Sequence, residues 1–328
     1  MARIVLGLGT SHTPMLLADA ADLPRYAEND RRVKLLDHSG APVSFDVLLA
    51  AALNERAASV TPERLAARHA AGRRALDAMA DDLAAAALDA LVIIGDDQQE
   101  MLRGETMPPL LVYAGATIRS QRPPHPPGRP EWVLRASDRY YPASGAIDYP
   151  VAQALARHVV SCLRQQAWTV ETTEPEAPPA CMGHAFAFVY AQLMLGRTIP
   201  VVPVLLNALY PPTQPDPRRC LQIGSALAQA IASFPADARV GIVASGGLSH
   251  FVVDEVLDQA VIRALVDQDE TALAALPVHK LNSGSAEIRN WICAAGALRA
   301  LRVNRIDYIA GYRTAAGTGT GLCFAVWR

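Results

Sequence analysis

The chain has 328 residues, of which 51% are hydrophobic, so it can bury a sizeable core in one large domain or two smaller ones. A formal net charge of −2 and the absence of any run rich in lysine and arginine argue against nucleic acid as the main partner. The five cysteines are widely spaced and form no Cys-x-x-Cys motif, the N-terminus resembles a strand rather than a signal peptide, and no apolar stretch reaches about 20 residues. We therefore expect a cytoplasmic protein with free thiols and no membrane span.

The first part of the chain contains two predicted buried strands that each end in a polar turn. Apolar residues 4–8 predict a strand that leads into a Gly-Thr-Ser-His-Thr-Pro turn presenting His12. The Thr-Pro pair at 61–62 predicts the start of a long helix, with the threonine as N-cap. Leu-Val-Ile-Ile at 91–94 predicts the second strand, which ends in the acidic and amide-rich turn at 95–100.

The segment at residues 119–149 is rich in proline and arginine, and this composition predicts a long loop. Such loops in compact domains are often functional, so we expect a lid; a linker between two domains is the alternative. Strands and helices alternate in the same way on both sides of the segment. This alternation favours one catalytic domain over residues 1–328, of the α/β class, with a central mixed sheet and helices on both faces.

Three further polar side chains stand out in the second half of the chain. His184 ends a proline-rich loop at 174–184. His250 follows an apolar strand and a Gly-Gly-Leu-Ser turn, and a helix is predicted to continue directly from it. Glu287 lies at the start of another predicted helix. Because open α/β sheets place ligands beyond the carboxyl ends of their strands, His12 and His250 occupy positions typical of a functional site.

The candidate side chains are histidines and carboxylates, which suit a metal centre. They are the ligands of non-haem Fe(II) sites that leave positions open for substrate and O₂, and they also hold catalytic zinc. Each candidate has a structural alternative. His12 could cap a helix, His184 could be a core histidine bonded to the backbone, and Glu287 could stabilise a helix N-terminus. The candidates lie far apart in the sequence, so spacing alone leaves these alternatives open.

Five motifs occur along the chain in a recognisable order. They are Gly-Thr-Ser-His-Thr-Pro at 9–14, Gly-Asp-Asp-Gln at 95–98, Gly-His at 183–184, Gly-Gly-Leu-Ser-His at 246–250 and Glu-Ile-Arg-Asn-Trp at 287–291. Together they resemble class III extradiol ring-cleavage dioxygenases of the protocatechuate 4,5-dioxygenase β-subunit type. Within that type the chain is most similar to the gallate and 3-O-methylgallate dioxygenase branch. The resemblance covers most of the chain, with residues 18–80 and 119–149 as insertions or lineage-specific loops.

The resemblance implies a role for each matching residue. His12 matches the first metal-ligand histidine, and Glu287 matches the carboxylate ligand. His250 matches the catalytic histidine that acts as acid and base near the substrate hydroxyl and O₂. His184 matches a second catalytic-site histidine, which contacts the substrate.

One position departs from the family pattern. Gln98 stands where the family has its second metal-ligand histidine, and a neutral amide oxygen is a weaker ligand for Fe(II) than imidazole. Three alternatives follow: Gln98 binds the metal through its amide oxygen, Asp97 or Glu100 replaces it, or metal binding is weak and the chemistry altered. We favour a ligand from residues 96–100, because this turn is rich in oxygen donors.

The resemblance implies an extradiol dioxygenase that uses Fe(II), needs no organic cofactor and inserts both atoms of O₂ into a catechol- or gallate-type aromatic acid. His250 would take a proton from a substrate hydroxyl. Arginine or tyrosine side chains from 119–149, or Tyr312 and Arg313, would bind a substrate carboxylate, and Asn207 is a further pocket candidate. The expected partners are the aromatic diol, O₂ and a second copy in a homodimer. The alternatives are a metal-dependent hydrolase or non-oxidative enzyme on the same scaffold, and a catalytically silent subunit.

Overall fold

The structure is a computed structural model that describes residues 1–52, 54–102, 107–125, 127–166, 168, 170–173 and 182–328. The strands in these residues are β1 (Arg3–Thr10), β2 (Leu35–Leu36), β3 (Pro42–Val43), β4 (Ala90–Gly95), β5 (Leu110–Tyr113), β6 (Thr117–Gln121), β7 (Ala146–Pro150), β8 (Glu171–Thr173), β9 (Val201–Leu206), β10 (Arg239–Ser245), β11 (His250–Val252), β12 (Val303–Tyr312) and β13 (Thr318–Trp327). The α-helices are α1 (Tyr26–Asp30), α2 (Phe45–Ala51), α3 (Asn54–Ser59), α4 (Pro62–Ala85), α5 (Glu131–Asp138), α6 (Gln153–Gln165), α7 (His184–Val189), α8 (Pro217–Ala232), α9 (Glu255–Asp267), α10 (Glu270–Ala274) and α11 (Ile288–Ala297).

A large mixed sheet forms the centre of the fold. Its strand order is β11-β13-β1-β10-β4-β9-β5-β8, and β12 also pairs with β13. The strands β1, β10, β4 and β9 run parallel to one another, whereas β13 pairs antiparallel with β1, β11 and β12. The predicted α/β class with a mixed sheet is therefore confirmed.

The central strand β4 shows why helices cover both faces of the sheet. All six of its residues are buried, as expected for a parallel strand with neighbours on both sides. Side chains alternate between faces along a strand, so Val92 and Ile94 pack in one core cluster and Leu91 and Ile93 in the other. The first cluster includes residues of α6, α8, α9 and α11, and the second includes residues of α4, α5 and α7.

The carboxyl ends of three neighbouring parallel strands lie side by side. The register pairs Thr10 at the end of β1 with Ser245 at the end of β10, and Ala244 of β10 with Ile94 of β4. The turns that follow these strands therefore meet at one edge of the sheet. This edge is where the sequence places His12, the acidic turn and the Gly-Gly-Leu-Ser segment.

Local structure differs from the sequence prediction in two places. The segment at 119–149 is not one long loop, because it contains most of the antiparallel pair β6–β7 and the helix α5. The helix predicted directly after His250 begins instead at Glu255, where the Asp254 side chain accepts a hydrogen bond from Leu257 N–H and caps it. The predicted loop at 174–184 lies outside the described residues over 174–181.

The described cysteines are free thiols: Cys162, Cys220, Cys293 and Cys323. Cys181 lies outside the described residues. In the described part of the chain, every helix is too short or too polar to cross a membrane.

Candidate active site

Three side chains from different parts of the chain form a compact cluster at the edge of the sheet where the strands end. They are His12, which follows β1, His184, which begins α7, and Glu287, which ends a 3₁₀ turn before α11. One ligand atom from each residue lies within 4.8 Å of those of the other two. His12 and Glu287 are only 3% and 2% exposed, so this cluster is largely withdrawn from water.

The Glu287 carboxylate lies between two histidines. Its Oε1 is 3.3 Å from His12 Nε2, and its Oε2 is 3.4 Å from His250 Nε2. Oε2 also accepts a hydrogen bond of 2.7 Å from the Gly247 N–H, which fixes the carboxylate to the turn after β10. Burial by itself raises the pKa of Glu287, but His12 and His250 outweigh it and hold the pKa well below its usual range. Glu287 is therefore an anion at neutral pH.

The hydrogen bonds around His12 define which ring nitrogen carries the proton. Ser245 Oγ donates its hydrogen to the Ala185 carbonyl at 2.6 Å, so it can only accept from His12 Nδ1, which lies 3.0 Å away. In the neutral ring, Nε2 then carries a lone pair. This Nε2 is buried and has no hydrogen-bond partner among the described residues, although it faces the Glu287 carboxylate. With the ring neutral, the Nε2 lone pair and the anionic oxygen together can bind a cation in place of a shared proton.

The ring of His184, like that of His12, is held through its Nδ1. Its Nδ1 lies 2.6 Å from Glu100 Oε2, and its ring meets that of His12 edge to face at 4.7 Å between centroids. Burial by itself lowers the pKa of His184, but Glu100 outweighs it and raises the pKa to about 10. Because Nδ1 donates to Glu100, Nε2 is the ring atom that would bind a metal, which would take the place of the Nε2 proton.

His250 is held by its own backbone and by Ser285. Its Nδ1 donates to the Leu248 carbonyl at 2.9 Å, which leaves Nε2 facing Glu287. Ser285 Oγ accepts from the His250 N–H and donates to the His250 carbonyl, both at 2.9 Å. Burial lowers the pKa of His250, but the charge of Glu287 outweighs it, so the pKa is raised. The ring is thus placed to exchange a proton beside the cluster.

The sequence predicts a metal ligand from the acidic turn after β4, at Gln98 or a neighbouring residue, but the structure does not place the Gln98 side chain in the cluster. The Gln98 side chain is exposed, because the turn is closed by its neighbour: Asp97 accepts hydrogen bonds from the backbone N–H groups of residues 100, 101 and 102 at 2.9–3.1 Å. Both oxygens of Asp97 are occupied in this way, and Glu100 is bonded to His184. The structure therefore brings His184, and not Gln98, to the side of His12 and Glu287.

Asp96, the first acid of this turn, is also buried beside the cluster. It is fully buried, and its Oδ1 accepts a hydrogen bond from Asn290 Nδ2 at 3.2 Å. Its Oδ2 has no partner in the part of the chain that the structure describes. Burial and the nearby charge of Glu287 raise the pKa of Asp96.

The predicted carboxylate-binding residues are engaged elsewhere. The Arg313 guanidinium forms two hydrogen bonds of 2.8 Å with the buried Asp30 carboxylate. Tyr312 donates to Glu255, and Asn207 closes its own turn by bonding the backbone of Tyr210. These contacts assign structural roles to the three side chains.

Sequence reasoning missed three residues that support the cluster. Ser245 orients His12, Asn290 links Asp96 to the Ser245 carbonyl, and the Tyr140 hydroxyl donates to the His12 carbonyl. Ser245 directly precedes the Gly-Gly-Leu-Ser-His motif at 246–250, and Asn290 lies within the Glu-Ile-Arg-Asn-Trp motif at 287–291, so the motifs point to both positions. Tyr140 lies 128 positions from His12, and no local pattern links the two.

Comparison with known proteins gives two findings. The family model described as the catalytic LigB subunit of aromatic ring-opening dioxygenase matches residues 134–323, more than half of the chain. This range includes His184, His250 and Glu287. A gallate dioxygenase of Pseudomonas putida strain KT2440 is 46% identical over 57 residues, which is 17% of this chain and 16% of that relative.

Proposed function

The chain belongs to the family of catalytic LigB subunits of aromatic ring-opening dioxygenases, and from this premise we propose that it is a non-haem Fe(II) extradiol dioxygenase acting on a catechol- or gallate-type aromatic acid. The observation that carries the proposal is the largely buried grouping of two imidazoles and one carboxylate. Two histidines and one carboxylate are the donors of non-haem Fe(II) sites that activate O₂.

The residues that would hold the metal are His12, His184 and Glu287. His12 and His184 each donate Nδ1–H to a protein acceptor, so each has Nε2 available for a metal. Glu287 adds one negative charge, which partly neutralises a divalent cation in a buried setting. When bound, Fe(II) supplies the redox centre at which the diol and O₂ react.

His250 is the proposed acid and base. Its Nε2 lies 3.4 Å from Glu287 Oε2, at the border of the metal cluster, and its Nδ1 is committed to the Leu248 carbonyl. A substrate hydroxyl bound beside the cluster would therefore meet Nε2 and transfer its proton there. The ring can return this proton later in the reaction, since a histidine is both a base and an acid near neutral pH.

The name of the partial relative supports the choice of substrate class. That protein is called a gallate dioxygenase, and the aligned segment is 46% identical. Gallate carries adjacent ring hydroxyls and a carboxylate, which is the substrate chemistry proposed here. Gln98 in place of the family histidine raised the alternative of weak metal binding, and the grouping of His184 with His12 and Glu287 supports a full donor set without Gln98.

The test is O₂ uptake by the purified protein after anaerobic loading with Fe(II). We expect consumption of one O₂ per ring opened with at least one of gallate, 3-O-methylgallate and protocatechuate, and none with Zn(II) in place of Fe(II). The Glu287→Gln variant is the matched control, since it removes the charge but keeps the shape. Absence of O₂ uptake with every diol, in protein shown to contain Fe(II), would refute the proposal.

A further inference from the structure

We propose that Glu100 is a positioning residue that fixes the His184 ring so that Nε2 faces the metal. This inference rests on the proposed metal site and concerns a residue that orients one of its ligands. Glu100 would not touch metal or substrate itself; it would act through His184.

The contact between the two residues involves both the ring and the backbone of His184. Glu100 Oε2 lies 2.6 Å from His184 Nδ1, and the same oxygen accepts the His184 backbone N–H at 3.0 Å. A separation of 2.6 Å is typical of the short hydrogen bonds that charged groups form. One carboxylate oxygen therefore holds the ring and the start of α7 together, which leaves the ring little freedom to rotate.

Glu100 is itself held in place by the turn in which it lies. Asp97 accepts hydrogen bonds from the N–H groups of Glu100, Met101 and Leu102, so the turn at 97–102 is closed around one buried carboxylate. The residue before His184 fits against this turn without a side chain: a Cβ on Gly183 would lie 3.0 Å from Glu100 Oε2 and 3.3 Å from Asp97 Oδ1. An alanine at 183 would therefore require these two carboxylates to give way by a few tenths of an ångström.

The hydrogen bond between Glu100 and His184 is of a kind that metal-binding histidines commonly make. A histidine that binds a metal usually donates its other ring N–H to a carboxylate or carbonyl, which selects the tautomer and makes the ring a better donor. Ser245 serves His12 in this way, and Glu100 serves His184. The acidic turn after β4 thus supports a ligand instead of supplying one, and this accounts for the exposed side chain at Gln98.

The test measures metal affinity rather than turnover. Co(II) is titrated into metal-free protein, and binding is followed by visible absorption and by calorimetry. We expect Glu100→Ala to weaken Co(II) binding roughly 10- to 100-fold, the range for loss of a group that orients a metal-bound histidine. Glu100→Gln keeps an acceptor oxygen, so its loss should be smaller. The matched control is Gln99→Asn, an exposed residue of the same turn with φ of 62°, a conformation that asparagine tolerates.

The outcomes separate this inference from the metal site on which it rests. His12→Ala and Glu287→Gln are titrated in parallel, and thermal unfolding of the metal-free variants shows whether each is folded. If His12→Ala loses Co(II) binding while Glu100→Ala keeps it within twofold, the metal site stands and the role of Glu100 is refuted. If all three variants bind as the wild type does, the metal site itself is refuted. A loss in Glu100→Ala that Glu100→Gln does not lessen also contradicts a positioning role.

Discussion

Gly284 is the residue whose replacement tests the role of His250 most directly. It lies in the 3₁₀ turn Ser283–Glu287, next to the His250 ring. A Cβ at this position would lie 2.2 Å from His250 Cδ2 and 2.7 Å from Nε2. Gly284→Ala therefore crowds the proposed base without substituting any side chain of the metal cluster.

The size of the effect follows from these distances. Ordinary carbon contacts begin near 3.4 Å, so the ring has to move by about 1 Å or the turn has to yield by a similar amount. A displacement of about 1 Å in a catalytic group can cost roughly 100-fold in rate. The hydrogen bond from Nδ1 to the Leu248 carbonyl opposes the movement, so we also expect a loss of stability of about 1–3 kcal/mol, as is usual for overpacking.

The assay compares O₂ uptake and metal content of the Gly284→Ala protein with those of the wild type. We expect kcat to fall about 100-fold while bound Fe(II) stays near its wild-type level. Gly145→Asn is the control, because a Cβ there meets no atom within 4 Å and asparagine tolerates the φ of 69° at this position. The reasoning is refuted if folded Gly284→Ala protein turns over at the wild-type rate, or if it loses metal along with activity.

Three further predictions follow from the same contacts. His184→Ala should weaken Co(II) binding at least 10-fold, whereas Gln98→Ala should bind as the wild type does; the reverse order would restore Gln98 as the ligand. His250→Ala should keep its Fe(II) and lose roughly 10²- to 10⁴-fold in kcat, and unchanged O₂ uptake would contradict its role as base. Burial raises the pKa of Asp258 to about 6, so its protonation stabilises the folded protein most below about pH 4, by about 3 kcal/mol, and this contribution is lost as the pH rises through 6. Urea unfolding should therefore show Asp258→Asn to be more destabilising at about pH 4 than at about pH 7.5, and equal effects would contradict the raised pKa.

Much of the fold was predictable because it depends on local patterns. The apolar runs of β1, β4 and β10 predict buried strands, and the Thr-Pro pair at 61–62 predicts the start of α4, where the Thr61 side chain accepts from Arg64 N–H. Each strand is followed at once by polar residues. Open α/β sheets place ligands beyond the carboxyl ends of their strands, so the sequence also predicts that His12 and His250 occupy positions typical of a functional site.

Less regular segments were harder to predict because composition does not encode their partners. The composition of residues 119–149, rich in proline and arginine, predicts a loop. In the structure, however, β6 pairs with β7 across this segment, and Arg119 forms hydrogen bonds with Asp148 within that pair. The helix after His250 starts later than predicted, because His250–Val252 pairs with β13. Both features depend on a partner strand elsewhere in the chain.

The sequence by itself determined the α/β class through hydrophobic periodicity, whereas it proposed His12, His250 and Glu287 as site residues through motifs that resemble a known family. Only the tertiary structure decided which side chains complete the cluster. A turn of six residues can point a side chain inward or outward, and the backbone hydrogen bonds accepted by Asp97 leave Gln98 in solvent. His184 reaches the cluster from 172 positions beyond His12, and Glu100 reaches His184 across 84 positions. Contacts of this range depend on how the helices pack against the sheet, which no local pattern specifies.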